Sequence, residues 1–214
     1  MIRGFDPSPV RGLAALRRLA VVSPEPERCE LCAAAVPEQH QHLVDPESRH
    51  LLCACDACAI LFDHSVSTRY RRIPRDIRTL PDFEIDGALW NSLAIPIGLV
   101  FFFRSSVSNS VLAVYPSPGG PTETIVEEEL WKALASLNGD IASLSEDVEA
   151  LLVNRIAGVR DYLIVPIDEC YKLTGVIRRH WSGISGGDEV WEQIRSFFEG
   201  LKGRARPAWG TSHA

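Results

Sequence analysis

The sequence predicts an α+β protein: an N-terminal zinc-ribbon or treble-clef module followed by an α/β domain. Three observations predict it. Two Cys-x-x-Cys pairs bracket a stretch with hairpin character. Apolar, β-favouring runs begin near residue 93. Segments with helical spacing and cap residues alternate with those runs. The expected organisation is residues 1–67 as an N-terminal helix and cysteine-rich metal-binding module, 68–81 as an arginine-rich linker, 82–205 as an α/β domain and 206–214 as a tail.

Taken in order, Val10 to Val22 has the leucine spacing of a short helix, ended by Ser23, Pro24 and Pro26. Gln39 to Val44 and Arg49 to Ala54 read as strands joined by a turn at Asp45-Pro46-Glu47-Ser48, since adjacent Asp and Pro suit a type I turn. Asp56 to Asp63 reads as the start of a helix. Thr68 to Thr79 holds Arg69, Arg71, Arg72, Arg75 and Arg78, with Pro74 and Pro81 preventing a continuous helix. Leu93 to Phe103 and Asn109 to Tyr115 read as neighbouring strands, and Pro116 to Pro121 as a loop. Glu127 to Leu137 and Glu146 to Ile156 read as helices, the second with Ser143 and Glu146 at capping-box spacing. Tyr162 to Ile167 reads as a buried strand. Asp168 and Asp188 are then expected to cap two last helices, to about Trp181 and about Leu201.

Cysteine placement carries the chemistry. Cys29 and Cys32 form one pair, Cys55 and Cys58 another, with 22 residues between them. Two intervening residues let both sulfurs of a pair reach one ion from a tight knuckle, and zinc prefers four tetrahedral ligands of this kind. The expected metal ligands are therefore Cys29, Cys32, Cys55 and Cys58, with zinc as the ion and iron as the alternative. A rubredoxin-type iron site uses the same pairs but is typically followed by glycine, where this chain has Ala33 and Ala59. Ligands at a helix start would also have their thiolates stabilised by its partial positive charge. Cys53 is surplus. On a strand it would share a face with Cys55, about 6–7 Å away, and a packed core cysteine is the preferred reading over an alternate ligand. His40, His42, His50 and His64 crowd the same region, but four cysteines suffice, so solvated or hydrogen-bonding imidazoles are expected.

Composition limits the function. Hydrophobic residues make up 46% and charged residues 23%, a globular balance. The net charge of −6 is concentrated after residue 80, where 11 Lys and Arg face 18 Asp and Glu. Neutralising phosphates needs the opposite sign, which disfavours a zinc-dependent nucleic-acid binder. The longest apolar run, Leu93 to Phe103, is about half of what a spanning helix needs, so no membrane insertion is expected. With no clean signal-peptide core, the reading is cytoplasmic, where clustered thiols bind metal rather than form disulfides. Cys170 has no evident base beside it, and the glycine-rich Ser182 to Gly187 lacks the lysine of a phosphate loop. The tryptophans read as core or interface anchors. No catalytic constellation is visible, so the chain is read as a non-enzyme.

The motifs CELC, HQHLVDPESRHLLCACDACAILF, YRRIP, VPIDECYKLTGVIRRHW and SGISGGDEVWEQIRSFF together resemble an uncharacterised bacterial family encoded beside uptake nickel–iron hydrogenase genes. The resemblance spans most of residues 11–205. It implies a hydrogenase-cluster accessory protein, serving assembly or electron delivery, with hydrogenase subunits or maturation factors as partners. It supplies no catalytic residue. The expected function is thus a zinc-binding assembly factor that docks another protein, the arginine-rich stretch and the acidic C-terminal part steering it; the alternative is a rubredoxin-like electron carrier.

Overall fold

The structure is a computed structural model, and it describes residues 27–62, 69–93, 95, 98–183 and 185–207. The helix expected over Val10 to Val22 and His64 lie outside the described residues.

Two sheets organise the chain. The first is three-stranded and antiparallel. Strand β1 (Gln41–Val44) pairs on one side with β2 (Leu51–Ala54) and on the other with β3 (Arg71–Arg72). Helix α1 (Asp56–Ile60) leaves β2 directly. Val44 lies opposite Leu51, so six residues close the hairpin rather than the four of the expected turn. Asp45 holds that loop: its N–H reaches the His50 carbonyl at 3.0 Å, and its carboxylate accepts from the Glu47 N–H at 3.1 Å.

The second sheet has seven strands. Its order is β10 (Arg206–Pro207), β4 (Arg78–Thr79), β9 (Asp161–Pro166), β8 (Glu149–Asn154), β5 (Leu99–Ser105), β6 (Ser110–Tyr115) and β7 (Thr122–Ile125). Every pairing is antiparallel except β10 with β4. The large sheet is therefore not built from parallel βαβ units. Helices cover both of its faces. On one lie α5 (Ile167–His180) and α6 (Gly187–Arg204), which bury Cys170, Leu173, Val190 and Phe198 against Phe101, Phe103, Leu152 and Val165. On the other lie α2 (Gly87–Ser92), α3 (Glu128–Leu137) and α4 (Gly139–Ala142), with Trp131, Leu134 and Ile141 against Phe102, Leu151, Val153 and Ile164. Successive strand residues alternate between the two cores, as the pleat requires. Phe101 and Phe102, both fully buried, anchor opposite faces from adjacent positions, each contributing about 1.5–3 kcal/mol of burial.

That double coverage explains the main correction. Glu146 to Ile156 is not a helix. All six residues of β8 are buried, and a continuous apolar run bounded by polar residues suits a strand covered on both faces. Ser143 instead closes α4, its hydroxyl donating to the Asp140 carbonyl at 3.0 Å. The strand expected from Leu93 begins at Leu99, after helix α2, which Asp86 caps by accepting from the Leu89 N–H at 2.6 Å. Neither Asp168 nor Asp188 is a cap: the cap positions are Pro166 and Gly186, and both aspartates lie in the first helical turns. Gly186 has φ 91°, and a Cβ there would meet Val190 at 2.9 Å, so glycine is required where α5 turns into α6.

Residues 68–81 are not a free linker. They supply β3 to the small sheet and β4 to the large one, and bury Ile73 and Ile77 in the core that Val44 shares with Phe101 and Leu173. Their arginines are tied down. Arg69 reaches Asp45 at 3.0 Å, Arg71 reaches Asp147 at 3.2 Å, Arg72 lies 3.4 Å from the Gln41 side chain, and Arg78 reaches Glu149 at 2.6 Å. Arg69 and Arg75 are exposed, and the other three are half-buried. The expected tail also starts later, since Arg206 and Pro207 pair with β4. Among the described residues no helix is long and apolar enough to cross a membrane.

Candidate metal centre

The first knuckle is a chain reversal closed on itself. Cys29 N–H donates to the Ala34 carbonyl at 2.8 Å and Ala33 N–H to the Cys29 carbonyl at 2.7 Å. The knuckle is fastened to β2 twice: Glu30 N–H reaches the Cys53 carbonyl at 2.9 Å, and the Glu30 carboxylate accepts from Cys53 N–H at 2.8 Å. The second knuckle is the start of α1. Cys55 is its cap, and its sulfur lies 3.5 Å from the Cys58 N–H. The hairpin face formed by Leu43, Leu52 and Ala54 packs with Cys29, Val36 and Ala59, giving this region its own small core.

These elements bring the four expected ligands together. The sulfurs of Cys29, Cys32, Cys55 and Cys58 all lie within 4.8 Å of one another, and those of Cys32 and Cys55 are 3.7 Å apart. A tetrahedron with metal–sulfur bonds of about 2.3 Å has edges of roughly 3.8 Å, so the sulfur cage already has the size of a zinc or iron tetrathiolate. The donor set fits such an ion. Burial opposes ionisation of Cys29, but hydrogen bonds from the backbone of Cys55, Leu31 and Cys32 outweigh it and bring the thiol down to about 6. Hydrogen bonds to the Cys32 and Cys55 sulfurs, with some burial, push Cys58 up to about 12. One sulfur is thus poised as the thiolate and another keeps its proton. Metal uptake must displace that proton, so loading weakens as pH falls.

Ala33 sits where such knuckles often carry glycine, and it has φ 60°. The left-handed conformation costs a non-glycine residue roughly 1 kcal/mol or more. Ala33→Gly is therefore expected to raise the stability of the metal-loaded protein by about 0.5–1 kcal/mol, read from urea denaturation; a loss of stability would show that this strain is absent. Ala59, the other alanine, is buried in α1 with ordinary helical geometry.

Cys53 does not join the four sulfurs. The chain turns at Cys55 into α1, and the Cys53 sulfur lies instead beside His40 and His42. Burial, then the charges of Glu27, Glu30 and Cys29, push its thiol up. His40 and His42 are hydrogen-bonded, as expected, to the Pro37 carbonyl and the Asp168 carboxylate, each at 2.8 Å. His50 is exposed in the hairpin loop. Cys170 is fully buried, and its thiol is pushed well up by that burial and by Asp168 and Glu169, which makes it a core residue. Sequence reasoning missed Asp168 as part of this region. It lies 126 residues from His42, and its position in a first helical turn signalled only a cap.

A family model described as "Family of unknown function (DUF5947)" matches residues 28–205, which takes in both knuckles and every described strand up to β9. No curated protein matches the chain, and no solved structure matches it.

Proposed function

The chain belongs to the family of unknown function DUF5947, and we propose that it is a non-enzymatic zinc-binding accessory or assembly factor whose metal centre, treble-clef-like in form, shapes a surface for a protein partner. The observation that carries this reading is the cage of four sulfurs, closed on all four corners by protein ligands. A closed tetrathiolate leaves no position for substrate, which is the character of a structural site. Apolar side chains sit exposed on the elements that hold the ligands: Leu31 inside the first knuckle, and Ile60 and Leu61 at the end of α1. Metal would fix both, giving a partner a preformed apolar contact.

The resemblance of the sequence motifs points to a nickel–iron hydrogenase subunit or maturation factor as that partner. Capture from the native host, with the metal-loaded protein as bait, tests it. A hydrogenase-pathway protein should be retained by the wild type. Leu61→Glu should lower its affinity at least about tenfold, or about 1.4 kcal/mol, with the knuckle metal unchanged. Normal hydrogenase assembly and activity in a strain lacking the gene would overturn the hydrogenase assignment.

The second reading is an iron tetrathiolate that carries electrons. It is favoured by Ala33 adopting the backbone of a glycine and by the exposure of Cys32. Visible absorption of the oxidised protein separates the two, since zinc gives none.

A further inference from the structure

The reverse face of the hairpin carries a second set of donors. Cys53 on β2 lies directly across from His42 on β1, and His40 precedes His42 by two residues, so all three side chains leave the same face. One nitrogen of each imidazole and the Cys53 sulfur lie within 4.8 Å of one another, and the two rings stand nearly perpendicular at 82°.

The hydrogen bonds determine which nitrogens are free. His40 Nδ1 faces the Pro37 carbonyl at 2.8 Å, with the Glu27 carboxylate at 3.5 Å, so Nδ1 carries the proton. His42 Nδ1 is held in the same state by the Asp168 carboxylate at 2.8 Å. In each ring Nε2 is then left with a bare lone pair. For His40 this atom is buried without a hydrogen-bond partner among the described residues, in a side chain only 5% exposed. A buried, unpartnered acceptor is costly, and a metal ion removes the cost. A carboxylate behind a ligating imidazole is the usual support of a metal-bound histidine. Asp168 is placed for that role, its Oδ2 lying 2.8 Å from His42 Nδ1.

We propose that His40, His42 and Cys53 hold a second transition-metal ion, of the zinc and cobalt(II) class, distinct from the ion in the four-cysteine cage. Two imidazoles and a thiolate form a borderline-soft set suited to these ions. Three protein ligands leave a fourth position for an exchangeable ligand, the pattern of reactive rather than structural sites. Both histidines also line a cavity of about 310 Å³, together with Asp168, Lys172 and Arg204.

Cobalt(II) titration of the apo-protein under reducing, oxygen-free conditions tests this, followed by dialysis and elemental analysis. Wild type should retain two equivalents. His40→Ala and Cys53→Ser should each retain one, with the intense sulfur-to-cobalt bands of the tetrathiolate intact. Asp168→Asn should keep both sites but weaken the second by roughly 10–100-fold. Cys53→Ser is the control against misfolding, since it leaves the His42–Asp168 contact in place. Retention of one equivalent by wild type, or of two by both His40→Ala and Cys53→Ser, overturns the second site. Neither result bears on the four-cysteine ion, whose bands report it separately.

Discussion

Cys58→Ser is expected to strip the four-cysteine centre of its metal and unfold the chain around it. Two of the four ligands belong to α1, a helix of five residues, too short to persist in isolation. The small core beside them holds six buried residues, of which Cys29 is one, and two hydrogen bonds tie Glu30 to Cys53, so the metal is the main tie between the two knuckles. Structural zinc in modules of this size contributes roughly 10–16 kcal/mol of apparent folding free energy. The variant, and the wild type after chelation, should lose amide protection over residues 29–60 while the large sheet keeps its own. Hydrogen exchange with metal analysis reads both. Cys55→Ser should behave likewise, whereas Cys53→Ser should keep the tetrathiolate ion, because its sulfur lies with the imidazoles. Stoichiometric zinc in Cys58→Ser, or unchanged protection of residues 29–60 after chelation, would overturn the ligand assignment.

The four-cysteine centre was legible because its signal is covalent spacing. Two residues between cysteines fix a knuckle whatever the rest of the chain does, and a hairpin between the pairs needs only local alternation. The second donor set was half legible. Any even register of the hairpin puts His40, His42 and Cys53 on one face, yet their meaning depends on Asp168, which no local pattern ties to them. Strand β8 was misread for a related reason. Its apolar run has no period of its own because both faces are buried, and the coverage comes from helices far along the chain. The arginines of residues 68–81 read only as a charged linker, because most of their partners lie far along the chain: Asp45, Asp147 and Glu149 are acids on other strands and loops, and of the nearby acids Asp76 lies beside Arg78.

The same ion pairs give the second large effect. Arg78→Ala is expected to destabilise the metal-loaded protein by about 3–5 kcal/mol. Arg78 Nη2 lies 2.6 Å from Glu149 Oε1, and the Glu149 side chain, on the central strand β8, is 8% exposed. Among the described residues its other oxygen accepts only from the Ser145 N–H, at 3.0 Å. Removing the guanidinium would strand a buried carboxylate, and that penalty exceeds the worth of the pair itself. Because Arg78 is 22% exposed, water can enter the gap, which favours the lower end of the range. For a chain of this size the melting temperature should fall by roughly 6–12 °C. The double variant Arg78→Met, Glu149→Leu should recover most of the loss, since it removes the buried carboxylate, and Asp76, 3.5 Å from Arg78 Nε, keeps Arg206 at 2.6 Å. Its residual deficit should match the lost hydrogen bond to Ser145, about 1 kcal/mol. Urea denaturation of the three proteins under saturating zinc measures the cycle. A change under about 1 kcal/mol in Arg78→Ala would mean that β4 is held to the large sheet by its backbone alone, and that residues 68–81 behave as the linker their composition suggests.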